Sequence, residues 1–252
     1  MQLVIDIGNT LVKAAVFEHS RPTGLWTGSE VSEGPIRELL AGRRPRAAIV
    51  STVREQAAGG DHGQQEELPP GLEFLQDYNI PAIVADPRLP TPLKMHYQTP
   101  ETLGTDRLAA ALGATLFFPG QNVLVINAGS CLTLDFVSGE AEYMGGSISP
   151  GLNMRLKALN QFTSRLPLVE IPQGEIPLWG QTTVSSVQSG VALGMVAEID
   201  GLIETWRKKI SFFNVILSGG DVFFFDKKLK NRIFAVENIV LHGLNLMLGY
   251  NV

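Results

Sequence analysis

The chain has 252 residues, with 20 Lys and Arg against 25 Asp and Glu, and its net charge of −5 excludes a general nucleic-acid-binding surface. A 44% hydrophobic and 18% charged composition excludes a disordered chain and describes a globule with an ample core. The single cysteine, Cys131, excludes an intrachain disulfide, suits a reducing cytoplasm and reads as a small core filler.

Residues 2–7 and 12–18 read as strands around a tight Ile7-Gly8-Asn9-Thr10 turn, with a third strand at about 24–31. Short connections imply antiparallel neighbours. A helix over 34–42 and a strand at 47–51 follow. Residues 54–71 are rich in Gly, Gln and charge, the composition of a mobile surface loop. A short helix near 71–78 and a strand at 81–85 close the first half. Residues 86–103 hold four prolines without periodicity, a long irregular crossing of the kind that often carries function. Asp106 to Phe118 reads as an apolar helix with Thr105 as its N-cap. Its apolar stretch, Leu108 to Phe118, is too short to span a bilayer. The opening strand at residue 2 predicts no secretory leader.

Strands near 122–127, 131–137 and 140–144 repeat the opening plan, followed by a helix over 151–160. Residues 165–181, rich in Pro and Gly, are a candidate lid. A long helix over 184–208, a strand at 213–217 ending in Ser218-Gly219-Gly220, and a final helix over 236–249 complete the chain. Four scattered histidines and one cysteine offer no zinc spacing.

Chemistry concentrates in the first turn. Asp6, Gly8, Asn9, Thr10 and Lys13 place a carboxylate, backbone N–H groups, two short polar side chains and an ammonium within a few residues. A phosphate tail with Mg²⁺ needs those groups: Gly8 allows close approach, Asp6 can hold the metal directly or through water, and Lys13 adds a point charge. An ordinary hairpin would use the same turn residues. A second copy shifts the balance. LVINAGSCLTLDF at 124–136 aligns without a gap under LVIDIGNTLVKAA at 3–15, setting Asn127 under Asp6, Gly129 under Gly8 and Ser130 under Asn9. An internal duplication follows, with two turns able to clamp a nucleotide.

DIGNT at 6–10 with a second Ala-Gly-Ser turn resembles the acetate and sugar kinase, Hsc70 and actin superfamily. More narrowly, the chain resembles the type III pantothenate kinases over most of its length. The matching segments, in family order, are DIGNT with Lys13, YQTPETLGTDR at 97–107, NAGS at 127–130, GGSISPG at 145–151, GQTT at 180–183 leading to Gln188-Ser189-Gly190, and LSGGD at 217–221. The resemblance implies an α/β fold of two duplicated ribonuclease H-like domains, residues 1–117 and 118–252, with the last helix able to pack across the boundary. Each has a mixed sheet with a three-strand antiparallel start and flanking helices, and a nucleotide cleft lies between them.

It further implies ATP-dependent phosphorylation of pantothenate to 4'-phosphopantothenate, the entry to coenzyme A biosynthesis, in the cytoplasm. Asp106 would be the catalytic base. Asp6, Ile7, Gly8, Asn9, Thr10, Lys13, Gly129, Ser130, Gly219 and Gly220 would bind ATP, the glycine pair near the adenine. Tyr97, Gly104, Thr105, Arg107 and Thr183 would bind pantothenate, with Thr183 reaching in from the second subunit of a homodimer. The apolar run Val222 to Phe225 reads as exposed and would allow such an interface. Asp6 would hold Mg²⁺. A monovalent cation, K⁺ or NH₄⁺, would sit at residue 127, where the family has Asp and this chain has Asn. The neutral amide predicts weaker cation binding. A kinase of another small alcohol and a nucleotide-binding regulator without turnover are the competing readings.

Overall fold

The computed structural model describes residues 1–53, 68–172 and 174–252. The loop expected at 54–71 therefore falls mostly outside the described residues, as does Gln173 within the expected lid. In chain order the elements are β1 (Gln2–Ile7), β2 (Val12–Glu18), β3 (Arg21–Gly28), α1 (Glu33–Leu40), β4 (Ala48–Thr52), α2 (Phe74–Asp77), β5 (Ala82–Val84) and β6 (Lys94–Met95). After a 3-10 turn at Pro100–Thr102 come α3 (Thr105–Phe117), β7 (Val123–Ala128), β8 (Cys131–Val137), β9 (Glu142–Pro150) and α4 (Leu152–Gln161). The chain ends with α5 (Thr183–Arg207), β10 (Asn214–Ser218), α6 (Val222–Phe225), β11 (Phe234–Ala235) and α7 (Ile239–Asn251).

Two compact units result: residues 1–119, 141–144 and 238–252 in one, 120–140 and 145–237 in the other. The first holds a mixed sheet of order β3-β2-β1-β4-β5, antiparallel from β3 to β1 and parallel from β1 to β5. In the second the order β9-β8-β7-β10-β11 repeats the same plan, with β7 antiparallel to β8 and parallel to β10. The duplication legible at the two turns thus extends to whole sheets.

Strand alternation sorts the first sheet. Leu3, Ile5, Ile7, Val12, Ala14 and Val16 face Ile36, Leu40, Leu72, Phe74 and Leu75 in one core. Val4 and Asp6 point to the other side, where α7 and α3 pack on the sheet. In the second unit Leu124, Ile126, Leu132 and Leu134 join Met195, Ile199 and Ile203 of α5. Helices α3 and α7 meet through glycines: a Cβ on Gly243 would lie 1.7 Å from the Ala109 carbonyl oxygen, and one on Gly113 would lie 2.4 Å from that of Ile239. Both obstacles are backbone and cannot swing away. Gly243→Ala should therefore cost about 2 kcal/mol and lower the thermal midpoint by roughly 5 °C, readable by calorimetry.

Several expectations are corrected. β3 begins three residues earlier than 24. The strand expected at 140–144 runs through the glycines to Pro150, because Gly145 and Gly146 continue it rather than turn it. The gapless alignment of the two turns fails on the return strand. Asp6 pairs with Lys13, but Asn127 pairs with Thr133, so the first turn is one residue longer than the second. A one-residue slip exchanges strand faces, and the counterpart of Lys13 is Thr133, not Leu134. Val222 to Phe225 is a short helix, with Val222 and Phe225 in the core and only Phe223 largely exposed. Cys131 is half-buried rather than enclosed in the core.

Candidate active site

In the first unit the sheet delivers Asp6 to the N-terminus of α3. Asp6 sits opposite Lys13 on β2 and Ser51 on β4. Ser51 is fully buried, and its Oγ lies 3.0 Å from Thr105 Oγ1. Asp6 Oδ1 is buried and has no hydrogen-bond partner among the described residues. Burial, and then the negative charge of Asp106, push the Asp6 carboxyl up to about 7, against the opposing pull of Lys13 and a hydrogen bond from Ser51. A buried carboxyl with one oxygen unpartnered, under the negative charge of a second carboxylate, is the arrangement a divalent cation relieves, so Asp6 fits a Mg²⁺ ligand.

Asp106 occupies the first turn of α3, where the helix N-terminus favours negative charge. Its Oδ1 accepts from the Arg107 N–H at 2.9 Å. The N-cap is Gly104 and not Thr105: Thr105 is already helical, and its hydroxyl turns to Ser51 instead of capping. Gly104 leaves the room that the Asp106 carboxylate takes, since a Cβ there would lie 2.6 Å from Oδ1. Gly104→Ala should displace that carboxylate and lower kcat by about tenfold or more with little change in thermal midpoint, as small misplacements of a reacting group do. Parallel kinetics and calorimetry check it.

Arg107 is 5% exposed, with its guanidinium carbon 5.6 Å from the centre of the Tyr97 ring. Tyr97 in turn packs at 6.0 Å on Tyr143. The irregular crossing is pinned just before it, where Lys94–Met95 pairs in parallel with Glu142 and Tyr143. Glu142 also accepts from Lys94 Nζ at 2.8 Å and lies 3.1 Å from His96 Nε2, which hold its carboxyl down at about 2.

The first turn differs from expectation in one respect. The Gly8 N–H already donates to the Leu11 carbonyl at 3.0 Å, so it closes the turn; Asn9 and Thr10 are the exposed members. The Ile7 side chain lies in the core. In the second unit the Gly129 N–H likewise donates to the Cys131 carbonyl, while a Cβ on Gly129 would meet open space. Gly219, at φ +103°, presses on the Ala128 backbone, and a Cβ there would lie 2.1 Å from the Ala128 oxygen. Gly219 and Gly220 thus sit beside the turn that carries Asn127, Gly129 and Ser130. Asn127 is half-buried, and across the strand pair Thr133 Oγ1 is buried with no partner among the described residues. Thr183 is the exposed first residue of α5, behind a capping box of Thr182 and Ser185.

Two residues of this neighbourhood escaped sequence reading. Ser51 closes an ordinary apolar strand, and only its register with Asp6 marks it. Asn238 accepts a hydrogen bond from Lys13 Nζ at 2.8 Å across a sequence separation of 225 residues.

Solved structures with the same architecture include a conserved Baf family protein from Campylobacter jejuni (TM-score 0.59, 21% identical, 99% of this chain and 98% of that one). Component A of (R)-2-hydroxyglutaryl-CoA dehydratase from Acidaminococcus fermentans matches at TM-score 0.52 and 12% identity, over 100% of this chain and 99% of that one. The class is therefore an α/β fold of two ribonuclease H-like units. A family model described as type III pantothenate kinase matches residues 2–205. Proteins named type III pantothenate kinase from Phocaeicola vulgatus and Cytophaga hutchinsonii are 42% and 40% identical, each over 100% of this chain and 99% and 100% of their own length. The chain belongs to the type III pantothenate kinase family.

Proposed function

We propose that this protein transfers the γ-phosphoryl group of ATP to the primary hydroxyl of pantothenate, giving 4'-phosphopantothenate and ADP. The observation that carries this reading is the buried Asp6 carboxylate set against Asp106 at the head of α3, in a chain of this family. Asp106 takes the hydroxyl proton as the oxygen attacks the γ-phosphorus, the bond to the bridging β,γ-oxygen breaks, and ADP leaves. Mg²⁺ bound with ATP would neutralise phosphate charge, and Asp6 would hold it. Lys13, Asn9 and Thr10 would bind phosphate oxygens in the first unit; Ser130 would do so in the second, where Gly129 leaves room for their approach, with Gly219 and Gly220 at the adenine. Arg107 suits the pantothenate carboxylate, Tyr97 orients it, and Gly104 and Thr105 shape the hydroxyl end.

K⁺ or NH₄⁺ belongs in this reading at Asn127, with the orphan Thr133 hydroxyl as a second oxygen. Both donors are neutral, so the ion is held more weakly than by a carboxylate. The reading includes the division into domains 1–117 and 118–252, with the last helix packed across the boundary on the first, a cytoplasmic location and a homodimer. Among the described residues no helix is long and apolar enough to cross a membrane. Exposed Leu178, Trp179 and Val184 beside exposed Thr183 support a dimer in which Thr183 completes the neighbour's site. Mixing separately inactive Thr183→Ala and Asp106→Asn chains should then restore activity that neither has alone. A mixture that stays inactive would place Thr183 outside the partner's site.

The test of the substrate is a panel of pantothenate, hexoses and small alcohols offered with Mg²⁺ and ATP. Preference for pantothenate supports the reading; preference for another alcohol moves the assignment within the fold class.

A further inference from the structure

We propose that Asn238 is a positioning residue that holds Lys13 toward the donor phosphates, an inference that rests on the phosphate role given to Lys13 above. Asn238 occupies the N-cap of α7, where an asparagine ordinarily turns its side-chain oxygen onto the helix's own N–H groups. Here it makes no such bond. Its Oδ1 accepts from Lys13 Nζ at 2.8 Å. The backbone stands in the left-handed region, φ +55° and ψ +33°, and its carbonyl still accepts from Leu241 N at 2.9 Å. The side chain has thus left its local partner for one on the opposite end of the chain.

The chemistry of the acceptor is informative. Lys13 stands opposite Asp6 on the sheet, and its charge opposes the rise in the Asp6 pKa. Left on its flexible four-carbon stem, the ammonium would collapse onto that carboxylate or into water. A neutral amide oxygen fixes it without cancelling its charge, leaving the full positive charge and two donors for an anion. An aspartate at 238 would fix it equally well and neutralise it. The same bond makes the last helix part of the first phosphate turn.

Asn238→Gly and Asn238→Asp separate this role from a backbone role, because Gly, Asn and Asp all tolerate the left-handed conformation. The dissociation constant of Mg·ATP, measured by equilibrium dialysis, is the readout, with thermal midpoints as the check on folding. Both variants should remain folded and bind Mg·ATP about five- to tenfold more weakly than the wild type, as loss of a charge-assisted contact does. Lys13→Met should weaken binding at least as much, and adding Asn238→Gly to it should change nothing further. Glycine and aspartate variants within twofold of the wild type, or losses that multiply in the double variant, would overturn the proposal. Failure of the kinase reading would look different: the wild type would bind Mg·ATP and leave pantothenate unphosphorylated, with the binding pattern of the variants intact.

Discussion

Asp106→Asn should fold normally, bind Mg·ATP and lose turnover by at least about a hundredfold, the usual contribution of a positioned general base. The substitution is nearly isosteric. The amide oxygen can keep the bond from the Arg107 N–H that orients the carboxylate, so the first turn of α3 should persist. What disappears is the acceptor proposed for the hydroxyl proton. A second effect acts in the same variant. The negative charge of Asp106 is the second cause, after burial, that raises the Asp6 pKa. Removing it should lower that pKa and leave binding of Mg·ATP equal or tighter. Loss of kcat with unchanged or improved nucleotide affinity identifies a residue of the chemical step. Near-normal turnover in the folded variant would remove Asp106 from that role.

Asp6→Asn should abolish activity and yet stabilise the metal-free protein at pH 8. The carboxyl stands at 3.8 in its ordinary state and about 7 in the fold. Between those values the folded chain retains a proton that the unfolded chain has released, so stability falls as pH rises from about 4 to about 7 and is level above that. The part of the folding free energy lost over that window is on the order of 4 kcal/mol. Asparagine removes the titration. In chelator, the thermal midpoint of the wild type should drop from pH 5 to pH 8, and that of the variant should drop less and lie several degrees higher at pH 8. Mg²⁺ should reverse the order, raising the wild-type midpoint and leaving the variant unmoved, because a ligand stabilises only the state that binds it. The proton also competes with the metal, so the Mg²⁺ concentration for half-maximal activity should rise as pH falls below about 7. Activity of the variant should be at least about a hundredfold down, through lost charge neutralisation at the phosphates. A destabilised variant, or a wild type whose midpoint ignores Mg²⁺, would contradict the place given to Asp6.

Where local pattern and neighbours in sequence decide the structure, the chain is readable. The alternation of Leu3, Ile5 and Ile7 against Val4 and Asp6 gives β1, its burial and the side on which Asp6 emerges. The apolar run after Asp106 gives α3 and puts the carboxylate in its first turn. The duplicated turn gives the repeated architecture. Reading fails where distant chain decides. Thr105 looks like a cap because threonine caps helices, but Ser51, brought alongside by β4, claims its hydroxyl. Asn238 falls inside the helix expected from residue 236, whereas α7 begins one residue after it and its side chain serves Lys13. The slip of one residue between the two return strands is invisible in a gapless alignment, since both sequences remain apolar enough to continue it. The aromatic run at 222–225 looks exposed because a helix of one turn leaves no periodicity to read, although it buries two of its four residues.

The most direct test of the assignment is formation of 4'-phosphopantothenate from pantothenate and Mg·ATP by the purified protein, followed by phosphorus NMR at matched ionic strength with and without K⁺ or NH₄⁺. Stoichiometric 4'-phosphopantothenate and ADP are predicted, with turnover that rises when the monovalent ion is added and requires more of it than a carboxylate at residue 127 would. A folded protein that binds Mg·ATP and leaves pantothenate unchanged in every buffer would contradict it.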